Sequence, residues 1–262
     1  MSDTQSTGKT LALCFLVGGI YGLIGQLIGI ALESVVGPGL AAPLTLVCLG
    51  VLAVILYTPG IHQKIAAVSS FGSILPFNGF ACGIADAFQA GHANDGGFAG
   101  GLKSVGKLFF HVIVLSSAIN MAAGVLDHFI AFPKLTAPAA VPMPAALCAG
   151  FVVAGCVCLV WHLLYGAVGQ PAMPDFLLAS QSLGGILSLF GVTDVLASLG
   201  GYSFKILILG AGQAVEATTA LCFSAGPANL LITWGTFFAL AFFGILAANL
   251  NLNLNLKVKG DK

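Results

Sequence analysis

Long apolar runs separated by short polar stretches dominate the chain. No charged residue occurs between Thr10 and Leu32, between Ser34 and Ile61, or between Ala217 and Leu256. Each of these runs reaches or exceeds the ~20 residues that a helix needs to cross a bilayer. The pattern predicts membrane helices over residues 11–32, 40–57, 108–126, 145–168, 176–190 and 227–248.

Two other segments are apolar enough to enter a membrane but are interrupted. Residues 65–88 contain several Ser and Gly residues together with Pro76, and residues 201–224 contain two charged side chains. A smooth helix is not expected in either segment, because Pro and Gly break helices and buried charge is costly. The predicted fold class is therefore an all-α integral membrane protein with about six transmembrane helices and two broken or re-entrant segments.

The positions of prolines, glycines and polar stretches along the chain predict four regions. Residues 1–130 form a first membrane repeat, a Pro-rich linker occupies residues 131–144, and residues 145–250 form a second, diverged repeat. Residues 251–262 are a low-complexity tail of Asn, Leu and Lys, whose period of two is typical of an extended strand. Within the first repeat, the Gly-rich polar stretch 89–107 is expected to be a loop.

A weak internal repeat accompanies this division. Five positions of the first half align with five of the second: Phe15, Val17, Gly19, Leu23 and Gln26 with Phe151, Val153, Gly155, Leu159 and His162. If the broken segments dip into the membrane and return, nearly all Lys residues can face the cytoplasm, and the second half is inverted relative to the first. If they cross fully, the chain has eight spans and the halves are parallel.

Composition excludes several classes of protein. The chain is 58% hydrophobic and only 7% charged, whereas a soluble domain carries about a quarter charged residues. A net charge of zero, with nine Lys and no Arg, argues against nucleic acid as a partner. No metal-ligand set and no catalytic motif is recognisable, so we expect a lipid-embedded protein with neither metal nor cofactor and no enzymatic activity.

The first broken segment is the leading candidate for a solute path, because irregular backbone in a membrane must be buried in protein or line a water-filled cavity. Its hydroxyl, amide and proline residues are the candidates for lining that path: Ser69, Ser70, Ser73, Pro76 and Asn78. The alternative is a Pro-kinked helix packed closely through its glycines.

Ionisable residues within the membrane segments are further candidates. Asp86, Lys205 and Glu216 lie in the broken segments, and a Lys205–Glu216 ion pair is one possible arrangement. The alternative is that each reaches an interface and contacts water.

A separate cationic group precedes the third predicted span. Lys103, Lys107 and His111 follow one another at intervals of four, so a helix through them would carry one cationic stripe. Such a stripe would gather an anionic solute or lipid headgroups at the cytoplasmic mouth, or would act only as a topological anchor.

Two stretches of the first half carry a family resemblance. GGIYGLIGQ ends at Gln26, and GSILPFNGFACGI contains the pattern formed by Gly72, Pro76, Gly79, Phe80 and Ala81. Together they resemble the stage V sporulation protein AC and AE family over roughly residues 15–128. The second half lacks this pattern, and Asn78 and Cys82 depart from the residues more frequent in the family.

The resemblance implies a role in moving dipicolinic acid, as its calcium chelate, across the inner membrane of a bacterial spore. It also implies sibling membrane proteins or further copies of the chain as partners. We therefore expect a channel or facilitator for a small anionic solute in a bacterial inner membrane. Two alternatives are an ion-coupled secondary transporter that uses Asp86 and Glu216, and a non-conducting scaffold subunit of a membrane complex.

Overall fold

The apolar runs fold as helices throughout. The computed structural model describes the backbone of residues 7–260 and the side chains of residues 8–254. Its helices in the first half are α1 (Thr7–Val36), α2 (Pro38–Tyr57), α3 (Ile61–Ser69), α4 (Phe71–Ile74), α5 (Phe77–Asn94), α6 (Phe98–Phe109) and α7 (Leu115–Phe129). Those in the second half are α8 (Ala145–Ala167), α9 (Met173–Ser188), α10 (Val192–Gly200), α11 (Tyr202–Lys205), α12 (Ile208–Ala225) and α13 (Ala228–Gly260).

The predicted fold class is confirmed. Within the described residues, five helices are long and apolar enough to cross a membrane: α1, α2, α8, α13 and the continuous helix made of α6 and α7. Helices α6 and α7 are joined by one π-helical turn, Phe110–Val114. Helix α9 gives a sixth span if it is counted with α10, from which it bends by 98°.

The loop predicted over residues 89–107 is wrong. Helix α5 continues to Asn94 and α6 begins at Phe98, so only three residues separate them. The glycines that indicated a loop instead let the two helices touch, since a Cβ on Gly101 would lie 2.8 Å from the ring of Phe88. Close packing here outweighs the low helix propensity of glycine.

The strand predicted for the tail is also wrong, because α13 runs on to Gly260. Asn251 explains part of the difference: its Nδ2 donates to the carbonyl of Thr58 at 2.8 Å, and its Oδ1 accepts from Nε2 of Gln89 at 2.9 Å. Tertiary contacts thus override the alternating pattern. The side chains of Lys257 and Lys259 fall outside the described side chains, and Lys262 lies outside the described residues.

Both broken segments have the same construction. Each consists of a nine-residue helix, a four-residue helix and an 18-residue helix, namely α3, α4 and α5 in the first half and α10, α11 and α12 in the second. The first break has matching torsions, φ 47° and ψ −121° at Ser70 and φ 55° and ψ −132° at Gly201. At the second break Pro76 and Leu207 are extended. The prediction that these segments are interrupted is therefore confirmed, with the second one beginning earlier, at Val192.

The tips of the two broken segments meet in one antiparallel bridge between Pro76 and Leu207. The amide of Phe77 donates to the carbonyl of Ile206 at 3.0 Å, and the amide of Ile208 donates to the carbonyl of Leu75 at 3.1 Å. These residues are at most 1% exposed. The centre of the molecule is thus an apolar contact from which α5 and α12 run in opposite directions.

Helices α1 and α8 cross beside this bridge with reciprocal contacts. The rings of Phe15 and Phe151 meet edge to face at 5.6 Å. Gly19 lies against the ring of Phe151, and Gly155 lies against Phe15. Each aligned Phe and Gly therefore contacts the aligned Gly or Phe of the other half, an arrangement that a repeat in either orientation would give.

Each broken segment returns to the end of the helix from which it departed. The hydroxyl of Tyr57, the last residue of α2, donates to Oδ1 of Asp86 in α5 at 2.7 Å. In the second half, Glu216 of α12 lies beside Ser188, the last residue of α9. These contacts fit segments that turn back, and whether the broken segments are re-entrant or cross fully stays a prediction.

Candidate functional site

Most polar side chains of the first broken segment are enclosed by protein. Ser69, Ser73 and Asn78 have no exposed surface. The Ser69 hydroxyl donates to the carbonyl of Ile65 at 2.8 Å, and that of Ser73 donates to the carbonyl of Ser70 at 3.1 Å. The amide of Asn78 makes no close hydrogen bond with a described residue, and its polar neighbour is the buried hydroxyl of Tyr21. That this segment lines a solute path therefore stays a prediction.

The breaks are held by the opposite half of the chain. A ring nitrogen of His162 in α8 lies 3.1 Å from the hydroxyl of Ser70. At the equivalent break, the backbone amide of Ser203 donates to Oε1 of Gln26 in α1 at 3.0 Å. Gln26 and His162, aligned in the sequence, thus occupy equivalent structural positions, and Gln26 positions the second broken segment.

The remaining residues of the Pro-x-x-Gly-Phe-Ala pattern pack the first tip. A Cβ on Gly72 would collide with the backbone of Cys14, and one on Gly79 would collide with the carbonyl of Ser73. Phe80 packs edge to face on Phe77 at 5.9 Å. Ala81, fully buried, adjoins α13 through its carbonyl oxygen, against which Gly244 is packed. These residue types are therefore explained by close approach of backbones.

A cavity of about 430 Å³ lies between α2 of the first half and the last helices of the second half. Its walls are formed by residues 38–46 of α2, 210–221 of α12 and 229–237 of α13, together with Ala197 of α10 and Lys205 at the end of α11. The walls are mainly apolar, with hydroxyl and amide groups from Thr218, Asn229, Thr233 and Thr236. A cavity of this size and character suits a small solute.

Lys205 lines this cavity and also a second one of about 300 Å³, which adjoins Gln26 and Glu33. Its Nζ lies 4.9 Å from the centre of the Tyr202 ring, and the Tyr202 hydroxyl donates to Oε2 of Glu33 at 3.0 Å. Among the described side chains, none of the ion pairs within 4.0 Å involves Lys205. The Lys205 side chain is exposed, and its ammonium group has no directly bound counter-ion among the described side chains.

The predicted ion pair between Lys205 and Glu216 is not formed. Lys205 precedes α12 and faces the cavity, as do Ala214 and Ala217 on one side of that helix. Glu216 is 1% exposed and lies on another side, against Ser188 and near Asp127. Its Oε1 has no hydrogen-bond partner. The separation follows because Lys205, at the end of α11, faces the cavity with Ala214 and Ala217, whereas Glu216 projects from another side of α12, since neighbouring helical positions point about 100° apart.

Asp86, Lys103, Lys107 and His111 lie outside both cavities. Lys103 and Lys107 are exposed on α6, one turn apart as predicted. His111, in the π-helical turn, places Nε2 2.7 Å from Oδ1 of Asp175 in α9. The stripe therefore forms on a helical surface, and its third member is engaged by a carboxylate.

Sequence reasoning missed most of the cavity wall. The signal that could have found it is a polar stripe in an otherwise apolar helix, because Asn229, Thr233 and Thr236 recur at helical spacing on α13. The wall from α2 carries no comparable signal, since it consists of apolar and small residues.

The arrangement offers groups that could bind a small molecule. Within the described residues, no three or more His, Cys, Asp and Glu side chains are grouped so as to hold a metal. Lys205 offers a positive charge, the α13 stripe offers neutral hydrogen-bonding groups, and the remaining wall offers apolar contact. Such a set can hold a small apolar anion.

Comparison with known families addresses the first half of the chain. Residues 10–126 match the SpoVAC/SpoVAEB sporulation membrane protein family. The resemblance described above is thereby confirmed, and the family description implies a membrane role in sporulation. No curated protein and no solved structure gives a significant match. Lys205 and the α12 and α13 walls of the cavity lie beyond the matched range.

Proposed function

We propose that the protein is a channel or facilitator for a small anionic solute, with dipicolinic acid as the candidate implied by the family. The observation that carries the proposal is Lys205, an ammonium group without a directly bound carboxylate, in a cavity that Lys205 and Gly210 line on either side of the second re-entrant tip. The Lys205 side chain is exposed to the cavity rather than buried in protein, and a charge within a membrane segment is costly without water or a partner, which favours an anionic ligand there.

The bridge between the tips is the closed point of the proposed route. Leu75, Phe77, Leu207 and Ile208 fill it with apolar side chains that are at most 1% exposed. Polar solutes do not cross such a constriction while it is dry. Transport through it requires the two tips to separate, and the two halves would act as an inverted pair around this point.

The test is release of dipicolinate from vesicles containing the purified protein. We expect release above that of empty vesicles, a loss in Lys205→Met and partial recovery in Lys205→Arg. Lys64→Met removes an exposed cation from α3 outside both cavities and is the matched control. Equal release from the Lys205→Met and unaltered proteins would contradict the assignment.

An ion-coupled secondary transporter is the second candidate, favoured by the buried and incompletely bonded carboxyl group of Glu216. Asp86, bonded to Tyr57, would be its counterpart in the first half. Dependence of flux on an imposed proton or sodium gradient, lost in Glu216→Gln, would support coupling. Flux that depends on neither gradient would contradict coupling and favour a passive channel or facilitator.

A scaffold subunit associated with sibling membrane proteins or further copies of itself is the third candidate. Reactivity of single cysteines along residues 69–86, in a cysteine-free background, separates it from a route. Uniformly inert positions together with no flux would favour the scaffold. Localisation to a bacterial inner membrane follows from the same family and is part of this proposal.

A further inference from the structure

Among the described side chains, a single full positive charge faces the larger cavity. Lys205 is the one charged residue of the described lining. The smaller cavity adds Glu33, whose carboxylate is joined to Lys205 through the Tyr202 side chain. The described walls of the two cavities therefore sum to no net charge.

A second carboxylate lies behind the wall. Gln213, which lines the larger cavity, donates through Nε2 to Oδ1 of Asp194 at 2.6 Å. The amide is thereby turned toward a negative group belonging to the protein. A negative charge raises the free energy of a second one placed near it. The protein's own carboxylates therefore disfavour a second negative charge on the ligand.

The rest of the larger cavity suits the neutral part of such a ligand. Leu46 and Phe237 contribute apolar surface. Asn229, Thr233 and Thr236 contribute neutral donors and acceptors on the α13 side. A carboxylate on Lys205 and an apolar body with a neutral polar group would use all three kinds of wall.

From this charge arrangement we infer that the Lys205 cavity binds a small apolar carboxylate with one net negative charge, and binds the same molecule less well with two. This inference rests on the proposed function and narrows the form of solute accepted. A dicarboxylate would enter the cavity singly charged, by gaining one proton or by binding one monovalent cation.

The test uses three ring compounds of similar shape with the purified protein in detergent. Benzoate and 3-carbamoylbenzoate carry one charge, whereas isophthalate carries two at neutral pH. We expect both monoanions to bind and isophthalate to bind at least about tenfold more weakly, a difference readily measured by calorimetry. Tighter binding of isophthalate than of 3-carbamoylbenzoate would overturn the inference.

Variants locate the binding. Lys205→Met should weaken binding of 3-carbamoylbenzoate by about tenfold or more, because a charge-assisted hydrogen bond is lost. Lys64→Met should not change it. Unchanged binding by folded Lys205→Met protein, verified by gel filtration, would place the ligand elsewhere and overturn the inference.

Failure of this inference can be told apart from failure of the proposed function. Binding in detergent does not depend on flux. Lys205-dependent flux combined with tighter binding of isophthalate would leave the proposed route intact and contradict the preference for one net negative charge. Selective binding of the monoanions without flux of any compound supports the site and contradicts the route.

Discussion

The two halves of the molecule differ most where their last two long segments face each other. In the first half α5 and α6 touch through Gly91, Gly100 and Gly101. At the equivalent positions, 131 residues later, the second half has Cys222, Leu231 and Ile232. Ile232 lines the cavity that separates α12 from α13. One backbone plan thus gives a closed contact where glycines permit it and a cavity where larger side chains hold the helices apart.

Filling the cavity should have the largest effect on this difference. Ala214→Phe places a ring in the space between α12 and its neighbours, and we expect dipicolinate release to fall to the level of empty vesicles. Ala90→Phe is the matched control, because Ala90 is exposed and its counterpart, Leu221, lines the cavity. Full release from Ala214→Phe vesicles would show that solute does not use this space.

The glycine contact of the first half should tolerate no added methyl group. Gly101→Ala places a Cβ 2.8 Å from the Phe88 ring, and overpacking of this kind costs about 1–3 kcal/mol. Gly106→Ala is the control, since a Cβ there has no neighbour within 4 Å and alanine favours the helix. In thermal unfolding experiments in detergent, the midpoint temperature should be lowered in Gly101→Ala and not in Gly106→Ala. Equal midpoints would mean that this contact is not tight.

A smaller effect is expected at the tips, where Asn78 in the first half corresponds to Leu209 in the second. Asn78→Leu removes a buried amide that makes no close hydrogen bond but also takes away the polar neighbour of the buried Tyr21 hydroxyl, so stability should change by less than about 1 kcal/mol. If Asn78 serves the route, release should decrease, and this is the result we expect. Release equal to that of the unaltered protein would assign Asn78 no part in the route.

Part of the fold could be predicted because it depends on local composition. Uninterrupted apolar runs determine where helices cross, and Pro76 with its neighbouring glycines identifies an interrupted segment. The loop assigned to residues 89–107 failed for a related reason, since glycine lowers helix propensity but also permits helices to touch. The tail failed because Asn251 bonds to residues almost 200 positions away.

The candidate site could be predicted only in part. Lys205 attracted attention as an ionisable residue in a membrane segment, yet its predicted partner, Glu216, lies on a different side of α12. The cavity wall combines residues from α2, α12 and α13, and no local pattern brings these segments together. Ser69, Ser73 and Asn78 were identified as polar residues, but their complete burial depends on packing against other helices.

The sequence by itself determined that the chain is an integral membrane protein, that two of its segments are interrupted, and that its first half resembles a sporulation membrane protein family. These properties follow from free energies of transfer and from residue-level backbone preferences, which act locally. Only the tertiary structure decided that the two tips bond to each other and that a cavity opens beside Lys205. Those features depend on which side chains meet across the two halves, and that is set by packing between distant residues.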